Sequence, residues 1–202
     1  MVLAEHRPEH LDLLREWLTR ERPVAVGECG LDHFIEGLDP QLQRSYFHAQ
    51  LEIARDAGLP VIVHARRAVD EVIGALRRCA AMGGVVHSFS GSEQQARQLW
   101  TLGYCIGIGG PVTYERAARL RRIVATMPIE FLLLETDSPD QPGQRQRGQR
   151  NEPAHLHEVL RVVAELRGED EAAIAAATTH NAERVFRLPA LGGSTLAPRV
   201  PA

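Results

Sequence analysis

The fold is decided by the stretch VAVGECGLD, residues 24–32. Its first four residues are small or apolar, as expected for a strand that is covered on both faces of a parallel sheet. The stretch then places Glu28 before a glycine-broken loop that contains Cys29 and Asp32. Functional groups of α/β proteins lie where parallel strands end. Glu28 is therefore predicted to be a carboxylate at the rim of the core.

Three more apolar runs end in the same way, at side chains that can bind a metal ion. They are PVIVH at 60–64, GVVH at 84–87 and FLLLETD at 131–137. A fifth predicted strand, at 104–110, ends in glycines. Apolar residues at helical spacing lie between the strands. They predict helices at 8–20, 41–57, 69–76, 93–102, 117–124 and 156–163, and a short helical pair at 169–186.

The five βα repeats predict either an open parallel sheet or a (β/α) barrel. An open doubly wound sheet usually carries a glycine-rich phosphate loop after its first strand. Neither GxGxxG nor a Walker sequence occurs, and GIGG at 107–110 favours a tight strand-to-helix turn. A barrel brings several strand ends to one central point. An α/β fold of the TIM-barrel type is therefore favoured by the ligand-type side chains at four strand ends, namely Glu28, His64, His87 and Asp137.

Length and composition predict an ordinary globular protein of one domain. The 202 residues suffice for a substantial core, and 44% hydrophobic with 24% charged residues is typical of soluble proteins. A net charge of −3 argues against nucleic-acid binding through overall basicity, so any such binding must be local. The chain has no lysine, which excludes Schiff-base lysine chemistry and leaves arginine to contact anions.

Cysteine usage and hydropathy predict the compartment in which the protein works. Three cysteines without metal-binding spacing favour a reducing compartment. Cys29, beside Glu28, is expected to be a small buried side chain rather than a nucleophile. No signal peptide is recognisable, and no apolar run approaches the roughly 18 residues of a membrane span. We therefore expect a cytoplasmic protein without a membrane partner.

Five short motifs follow one another along the chain. They are GECGLD at 27–32, HAR at 64–66, HSFSG at 87–91, ETDSP at 135–139 and RNEP at 150–153. In this order, from about residue 5 to Phe186, they resemble the successive signatures of the TatD family. The resemblance implies a metal-dependent deoxyribonuclease of the amidohydrolase superfamily with a TIM-barrel fold, whose partner is DNA or another phosphodiester substrate.

The resemblance also implies the metal ligands. Glu28 would bridge two divalent ions, His64 and His87 would complete one site, and Asp137 would contribute to the other. A carboxylate that bridges ions about 3.5–4 Å apart suits a two-metal clamp on a phosphodiester. Neutral imidazoles suit zinc, manganese or other first-row ions, and magnesium is a further candidate. Asp137 can also take a proton from a metal-activated water, so Glu28 and Asp137 are the predicted catalytic residues.

One family feature is missing from its usual place. Family members carry a His-x-His pair at the end of the first barrel strand, and no such pair precedes Glu28. Aligned by its motifs, the chain begins after the third strand, so about five of eight βα units and one well-formed metal site are expected. A truncated gene product or a misplaced start codon would explain this. HLH at 155–157 is expected on a helix surface, because residues i and i+2 of a helix point to different sides.

The remaining predictions concern the substrate and the boundaries of the fold. Arg66 and Arg150 are expected to grip phosphates at the barrel mouth. Asn151 is expected to face the substrate or to cap the following helix. Residues 1–187 are predicted to form the partial barrel, with a long loop at 138–150 on its active-site edge. The Pro/Gly/Ser-rich residues 188–202 are predicted to be a disordered tail.

Two other functions stay open besides phosphodiester hydrolysis. An amidohydrolase would act on a C–N or C–O bond of a small substrate that is not a nucleic acid. A fragment without the His-x-His pair would be an inactive binding or structural piece. Local arginines favour nucleic acid, whereas the missing pair favours the inactive fragment. The sequence leaves the oligomeric state open.

Overall fold

The computed structural model describes residues 5–79 and 83–189. Most of the predicted tail, residues 190–202, lies outside the described residues. Helices and strands alternate along the described chain, as the sequence predicts. The strands are β1 Val26–Asp32, β2 Val61–Arg66, β3 Gly84–Val86, β4 Tyr104–Ile108 and β5 Leu132–Leu134. The helices are α1 Glu9–Glu21, α2 Pro40–Asp56, α3 Val69–Cys79, α4 Glu93–Thr101, α5 Ala118–Thr126, α6 Leu156–Arg167 and α7 Glu171–Phe186.

The strands of the described residues form one parallel sheet in the order β1-β2-β3-β4-β5. Each strand pairs with the next strand along the chain, and an α-helix connects each pair. This is the connectivity of consecutive units in a (β/α) barrel. The carboxyl ends of all these strands therefore lie on one edge of the sheet.

Apolar side chains are buried on both faces of the sheet. The main core lies between one face and the covering helices, and its completely buried members include Leu51, Val61, Val63, Val72, Val86, Leu99, Ile106, Leu132 and Val163. A smaller cluster contains Val85, Cys105 and Leu133, packed against Val185 and Phe186 of α7. Burial on both faces explains why the strands are continuous apolar runs. No helix among the described residues is long and apolar enough to span a membrane.

The predicted pair of short helices at 169–186 is wrong, because α7 is one continuous helix. Threonine and asparagine near its middle weaken an isolated helix by competing for backbone groups. Here their side chains have partners of their own. Thr178 Oγ1 donates to the Ile174 carbonyl at 2.9 Å, and Asn181 Nδ2 donates to the carbonyls of Ile129 and Leu132 at 2.7 and 2.9 Å. Tertiary contacts therefore stabilise the helix where local propensity predicts a break.

Glu28 also lies inside its strand rather than at the strand end, which corrects a second prediction. β1 continues to Asp32, and Gly30 pairs with His64 in β2. The predicted glycine-broken loop does not form. Gly30 instead lies so close to β2 that a side-chain Cβ at this position would collide with the backbone of His64. Glycine allows this close approach instead of ending the strand. The register of the two strands shifts between Val26 and Cys29, so Glu28 lies at this irregularity.

Gly30→Ala is expected to lower the free energy of unfolding by about 1–3 kcal/mol, as overpacking of a close contact usually does. The added methyl group would push β2 away from β1 at His64. Urea denaturation followed by circular dichroism measures the change.

Gly74→Ala is the matched control for this variant. Gly74 lies inside α3, and the nearest atom to its added methyl group would be the end of the flexible Arg78 side chain, at 3.4 Å. Helix propensity predicts a gain of roughly 0.5–1 kcal/mol for this substitution. Equal stability of the two variants would contradict the close approach of β1 and β2.

Candidate metal centre

Three side chains from neighbouring strands meet at the carboxyl edge of the sheet. Glu28 Oε1 lies 2.9 Å from His64 Nδ1 and 2.9 Å from His87 Nε2. The two imidazole nitrogens are 3.2 Å apart. The donor atoms of these three residues all lie within 4.8 Å of one another. Among the described residues, they form a group of three ligand-type side chains this close together. The structure thus brings together three of the four predicted metal ligands.

The three donor atoms fit a divalent cation. Ligands in a tetrahedral zinc site lie about 2.0–2.2 Å from the ion, which separates them from one another by roughly 3.4 Å. The observed separations of 2.9–3.2 Å need only a small outward movement to reach that value. One carboxylate oxygen and two imidazole nitrogens suit zinc and other first-row ions. The Glu28 side chain is 50% exposed, so the group is open to solvent on one side.

Asp32 holds one of the histidines in place, a role that the sequence analysis missed. Asp32 is a buried residue with 2% exposure, and its Oδ2 lies 3.2 Å from His64 Nε2. A hydrogen bond donated from Nε2 to Asp32 leaves the lone pair of His64 Nδ1 for a metal ion. Asp32 Oδ1 accepts hydrogen bonds from the backbone of Phe34 at 2.8 Å and Ile35 at 3.3 Å. Burial alone would raise the pKa of Asp32, but these hydrogen bonds and His64 lower it, so it stays charged.

The spacing of four residues between Glu28 and Asp32 is a sequence signal that strand geometry explains. Residues i and i+4 of a strand point to the same face, so Glu28 and Asp32 both face His64 on the neighbouring strand. His64 pairs with Gly30, midway between the two carboxylates. The spacing of Glu28 and Asp32 was visible in the sequence, but the register that places His64 between them was not.

His87 connects this group to a second pair of carboxylates. Its Nε2 faces Glu28, whereas its Nδ1 lies 3.9 Å from Asp137 Oδ1 and 4.0 Å from Glu135 Oε1. Glu135 Oε1 accepts hydrogen bonds from the backbone and the hydroxyl of Ser88, at 2.5 and 3.1 Å. Burial raises the pKa of Glu135, although His87 and Ser88 oppose that shift. Glu135 is the first residue of the ETDSP motif, but the sequence did not predict it as a site residue.

Gly107 makes room for the Glu135 carboxylate. A Cβ at this position would collide with the Glu135 carboxylate and approach His87 Cα to 3.1 Å. Gly107 therefore lies in β4 beside the site, within the strand predicted at 104–110. Its small size, rather than its conformational freedom, is what the site requires.

Asp137 lies on the far side of His87 from Glu28. Its backbone has φ 55°, in the left-handed region that most residues avoid. Asp137 Oδ2 accepts hydrogen bonds from Gln141 Nε2 at 2.5 Å and from Ser88 Oγ at 3.4 Å. It does not belong to the three-ligand group of the described residues. Its roles as a metal ligand and as a catalytic base stay predictions.

The charges of the group favour a bound cation. Hydrogen bonds from His64 and His87 hold the pKa of Glu28 well below its usual range, although burial opposes them. Burial would lower the pKa of His87, but Glu28, Glu135 and Asp137 raise it. The carboxylates thus attract either a proton on the imidazole or a metal ion. Because a metal requires neutral imidazole, metal binding displaces that proton.

Cys29 is adjacent to Glu28 but takes no part in the group. Its side chain is buried, and its Sγ lies 3.7 Å from the Ile62 carbonyl. Burial first, and the Glu28 charge second, raise the pKa of Cys29 to about 12. A thiol with this pKa carries almost no thiolate at neutral pH and is neither a nucleophile nor a ready ligand.

A cavity of about 1010 Å³ opens in front of the two histidines. His64, His87, Asp137 and Gln141 line it, together with three arginines. Arg66 is one of these and was predicted from the sequence. The other two, Arg116 and Arg119, were missed because neither belongs to a sequence motif. Arg116 lies just before α5, and Arg119 lies in the first turn of α5.

The two other predicted substrate residues, Arg150 and Asn151, lie at and just beyond the end of the long loop predicted at 138–150. Asn151 is buried, and its Nδ2 donates to the carbonyls of Thr136 and Asp140 at 2.7 and 2.8 Å. These bonds tie the loop to the strand end that carries Asp137. Arg150 is exposed and is not among the described residues that line the cavity. Substrate binding by Asn151 and Arg150 stays a prediction.

The HLH pair at 155–157 does not join the metal group. His155 Nδ1 lies 3.1 Å from Asn151 Oδ1 in the turn that precedes α6. His157 is exposed on α6 itself. Both positions agree with the geometry of a helix start, where two residues that are two apart do not share a face.

Comparisons with known proteins identify the family of this chain and relatives that are metal-dependent hydrolases. A model of the TatD related DNase family matches residues 2–187. The uncharacterized metal-dependent hydrolase YjjV of Escherichia coli K12 is 43% identical over 193 residues, which cover 93% of this chain and 74% of YjjV. The 3'-5' ssDNA/RNA exonuclease TatD of Erwinia billingiae is 39% identical over 174 residues, covering 83% of this chain and 67% of that protein.

Solved structures show the same fold. The crystal structure of YjjV, a TatD homolog, matches with a TM-score of 0.87 and 42% identity, covering 93% of this chain and 74% of that one. A TatD family hydrolase from Entamoeba histolytica matches with a TM-score of 0.76 at 21% identity, covering 91% of this chain and 70% of that one. The predicted TIM-barrel-like fold and the predicted family are confirmed. This chain belongs to the TatD related DNase family of metal-dependent hydrolases.

Proposed function

We propose that this chain hydrolyses phosphodiester bonds of nucleic acid with a divalent cation held by Glu28, His64 and His87. The proposal is carried by the convergence of three donor atoms beside an open cavity, which two of the three residues, His64 and His87, line. The name of the Erwinia billingiae relative, a 3'-5' ssDNA/RNA exonuclease, supports the same substrate class. Zinc and manganese suit the mixed nitrogen and oxygen ligands best, and magnesium is the third candidate.

Each residue of the site has a proposed task. A divalent ion supplies Lewis-acid chemistry, because it lowers the pKa of water and stabilises charge on a phosphoryl oxygen. Asp32 keeps His64 in the orientation that presents Nδ1 to the ion. Asp137 accepts the proton of the attacking water, and Gln141 and Ser88 hold its carboxylate for this task. A second, weaker ion would be shared by Glu28 and Asp137.

The cavity lining contains three aspartates, Asp32, Asp137 and Asp140, and three arginines, and it is the guanidinium groups that favour a phosphodiester over a small neutral amide. Arg66, Arg116 and Arg119 line the same cavity as the two histidines. A guanidinium group binds phosphate oxygens through two parallel hydrogen bonds. An amidohydrolase that acts on a neutral substrate would gain nothing from these charges. An inactive fragment would bind nucleic acid without turnover, which the activity measurement below distinguishes.

Glu28→Gln is expected to weaken divalent metal binding by more than about 100-fold, since it removes the negative charge that both imidazoles face. Isothermal titration of the metal-free protein with Zn²⁺ measures the change. The unmodified protein is expected to bind one ion tightly per chain. Two tight ions per chain would contradict the proposed weakness of the second site.

Two further variants calibrate this titration. Asp32→Asn keeps all three donor atoms but weakens the orientation of His64, so a loss of about 10- to 100-fold is expected. Glu93→Gln is the matched control, because its carboxylate is 53% exposed, much like that of Glu28, but pairs with Arg97 on α4. Unchanged affinity in Glu28→Gln would show that Glu28 is not a ligand.

Asp137→Asn is expected to reduce turnover of bis(p-nitrophenyl) phosphate by about 10²- to 10⁴-fold, the usual contribution of a general base. The metal titration of this variant should still detect the tight ion, since Asp137 is outside the three-ligand group. A chelator should abolish turnover by the unmodified protein. Asp12→Asn, on the exposed face of α1, is the control. Full activity in Asp137→Asn, or in chelator, would contradict the proposal.

A further inference from the structure

Phe34 is a large aromatic side chain that the fold leaves on the surface beside the metal centre. It is 45% exposed, and its neighbour Ile35 is 39% exposed. The backbone amides of both residues donate to the Asp32 carboxylate. The same carboxylate that orients His64 therefore fixes the segment that carries Phe34. An exposed aromatic ring in such a position contributes little to the core.

Two guanidinium groups lie against this ring. The Arg66 guanidinium carbon is 3.7 Å from the ring centroid, and that of Arg67 is 4.7 Å from it. Within the described residues neither side chain forms an ion pair or a hydrogen bond. Arg44 and Arg97, by contrast, are each paired with a carboxylate. Arg66 and Arg67 thus carry uncompensated charge that the ring holds in place.

Residues next to Phe34 in the sequence, and the arginines that contact its ring, line two cavities. Ile35 and Arg66 line the cavity of about 1010 Å³ that contains the metal centre. His33 and Arg67 line a second, polar cavity of about 540 Å³. Both cavities share Ser90, Gly91 and Arg119, so they adjoin each other. A chain-like substrate that extends from the metal centre into the second cavity would meet the two arginines that contact the Phe34 ring, Arg66 in the first cavity and Arg67 in the second.

We propose that Phe34, with Arg66 and Arg67, is a stacking platform for an unpaired nucleobase of a single-stranded nucleic acid. This platform rests on the proposed function. It adds to that function a residue that distinguishes single-stranded from double-stranded nucleic acid. Bases of any identity stack on aromatic rings and on guanidinium planes, which makes such contacts tolerant of sequence. Bases inside a duplex already stack on both faces, so only an unpaired base reaches the platform. The two arginine charges face the adjacent phosphates.

A second aromatic and arginine pair on the surface supplies a control. The Arg20 guanidinium carbon lies 4.9 Å from the ring of Trp17, which is 56% exposed. Arg20 is paired with Glu21 at 2.6 Å, and the pair lies on α1, outside the linings of both cavities. Trp17 matches Phe34 in exposure and in cation contact but lacks the free charge and the position beside the metal centre.

Binding of a single-stranded oligonucleotide that carries 2-aminopurine and phosphorothioate linkages tests the platform in the presence of Zn²⁺. Stacking on an aromatic ring quenches the fluorescence of 2-aminopurine. Phe34→Ala is expected to weaken binding by about 5- to 100-fold and to abolish the quenching, as loss of one stacked base predicts. Phe34→Tyr keeps an aromatic ring and should retain both the affinity and the quenching. Trp17→Ala should change neither the affinity nor the quenching. The preference of the protein for single strands over duplex should shrink in Phe34→Ala.

Other results would overturn the platform. Phe34→Leu keeps an apolar cover over the arginines, so full affinity in this variant would mean that packing, and not stacking, is what the position requires. Phe34→Ala with affinity and quenching within twofold of the unmodified protein would also overturn it. Hydrolysis of bis(p-nitrophenyl) phosphate separates this failure from that of the proposed function. Metal-dependent hydrolysis with binding that ignores Phe34 overturns the platform alone, whereas binding that depends on Phe34 without any hydrolysis overturns the proposed function.

Discussion

The site depends on the close approach of β1 and β2 where Gly30 pairs with His64. This pairing places one imidazole between two carboxylates of the same strand, Glu28 on one side and Asp32 on the other. The exposed carboxylate is free to bind a cation, and the buried one fixes the ring. A side chain at position 30 would separate the strands and move the histidine away from both. One glycine therefore sets the geometry of the first half of the metal centre.

The second half follows from the parallel order of the remaining strands. β3 ends at Val86, so His87 emerges at the same edge as His64. β4 contributes Gly107, whose missing side chain leaves space for Glu135 after β5. His87 then faces Glu28 with one nitrogen and the pair of carboxylates with the other. Negative charge on both sides of this ring explains why its pKa is raised in spite of burial. A sheet of consecutive parallel strands is enough to assemble this chain of contacts.

Apolar runs that end in ligand-type residues predicted the alternation of strands and helices and the convergence of Glu28, His64 and His87. The sequence did not predict Asp32, because its role depends on the register between two strands, which no single stretch encodes. Glu135 was missed for a similar reason, since its partner Ser88 is 47 residues away. Asn151 was expected to face the substrate or cap a helix, and the carbonyls of the loop that its amide group binds could not be identified from the sequence. The single helix α7 was missed because the partners of Thr178 and Asn181 appear only in the folded protein.

We propose that one carboxylate and two imidazoles hold a divalent ion beside a buried, unreactive cysteine. X-ray absorption at the zinc edge, on the protein loaded with one Zn²⁺ per chain, tests this most directly. Nitrogen and oxygen ligands are expected at about 2.0–2.2 Å, with the outer-shell scattering of two imidazole rings. Zinc–sulfur scattering at about 2.3 Å would instead place Cys29 in the site and contradict this set of ligands. Absence of imidazole scattering would contradict it equally.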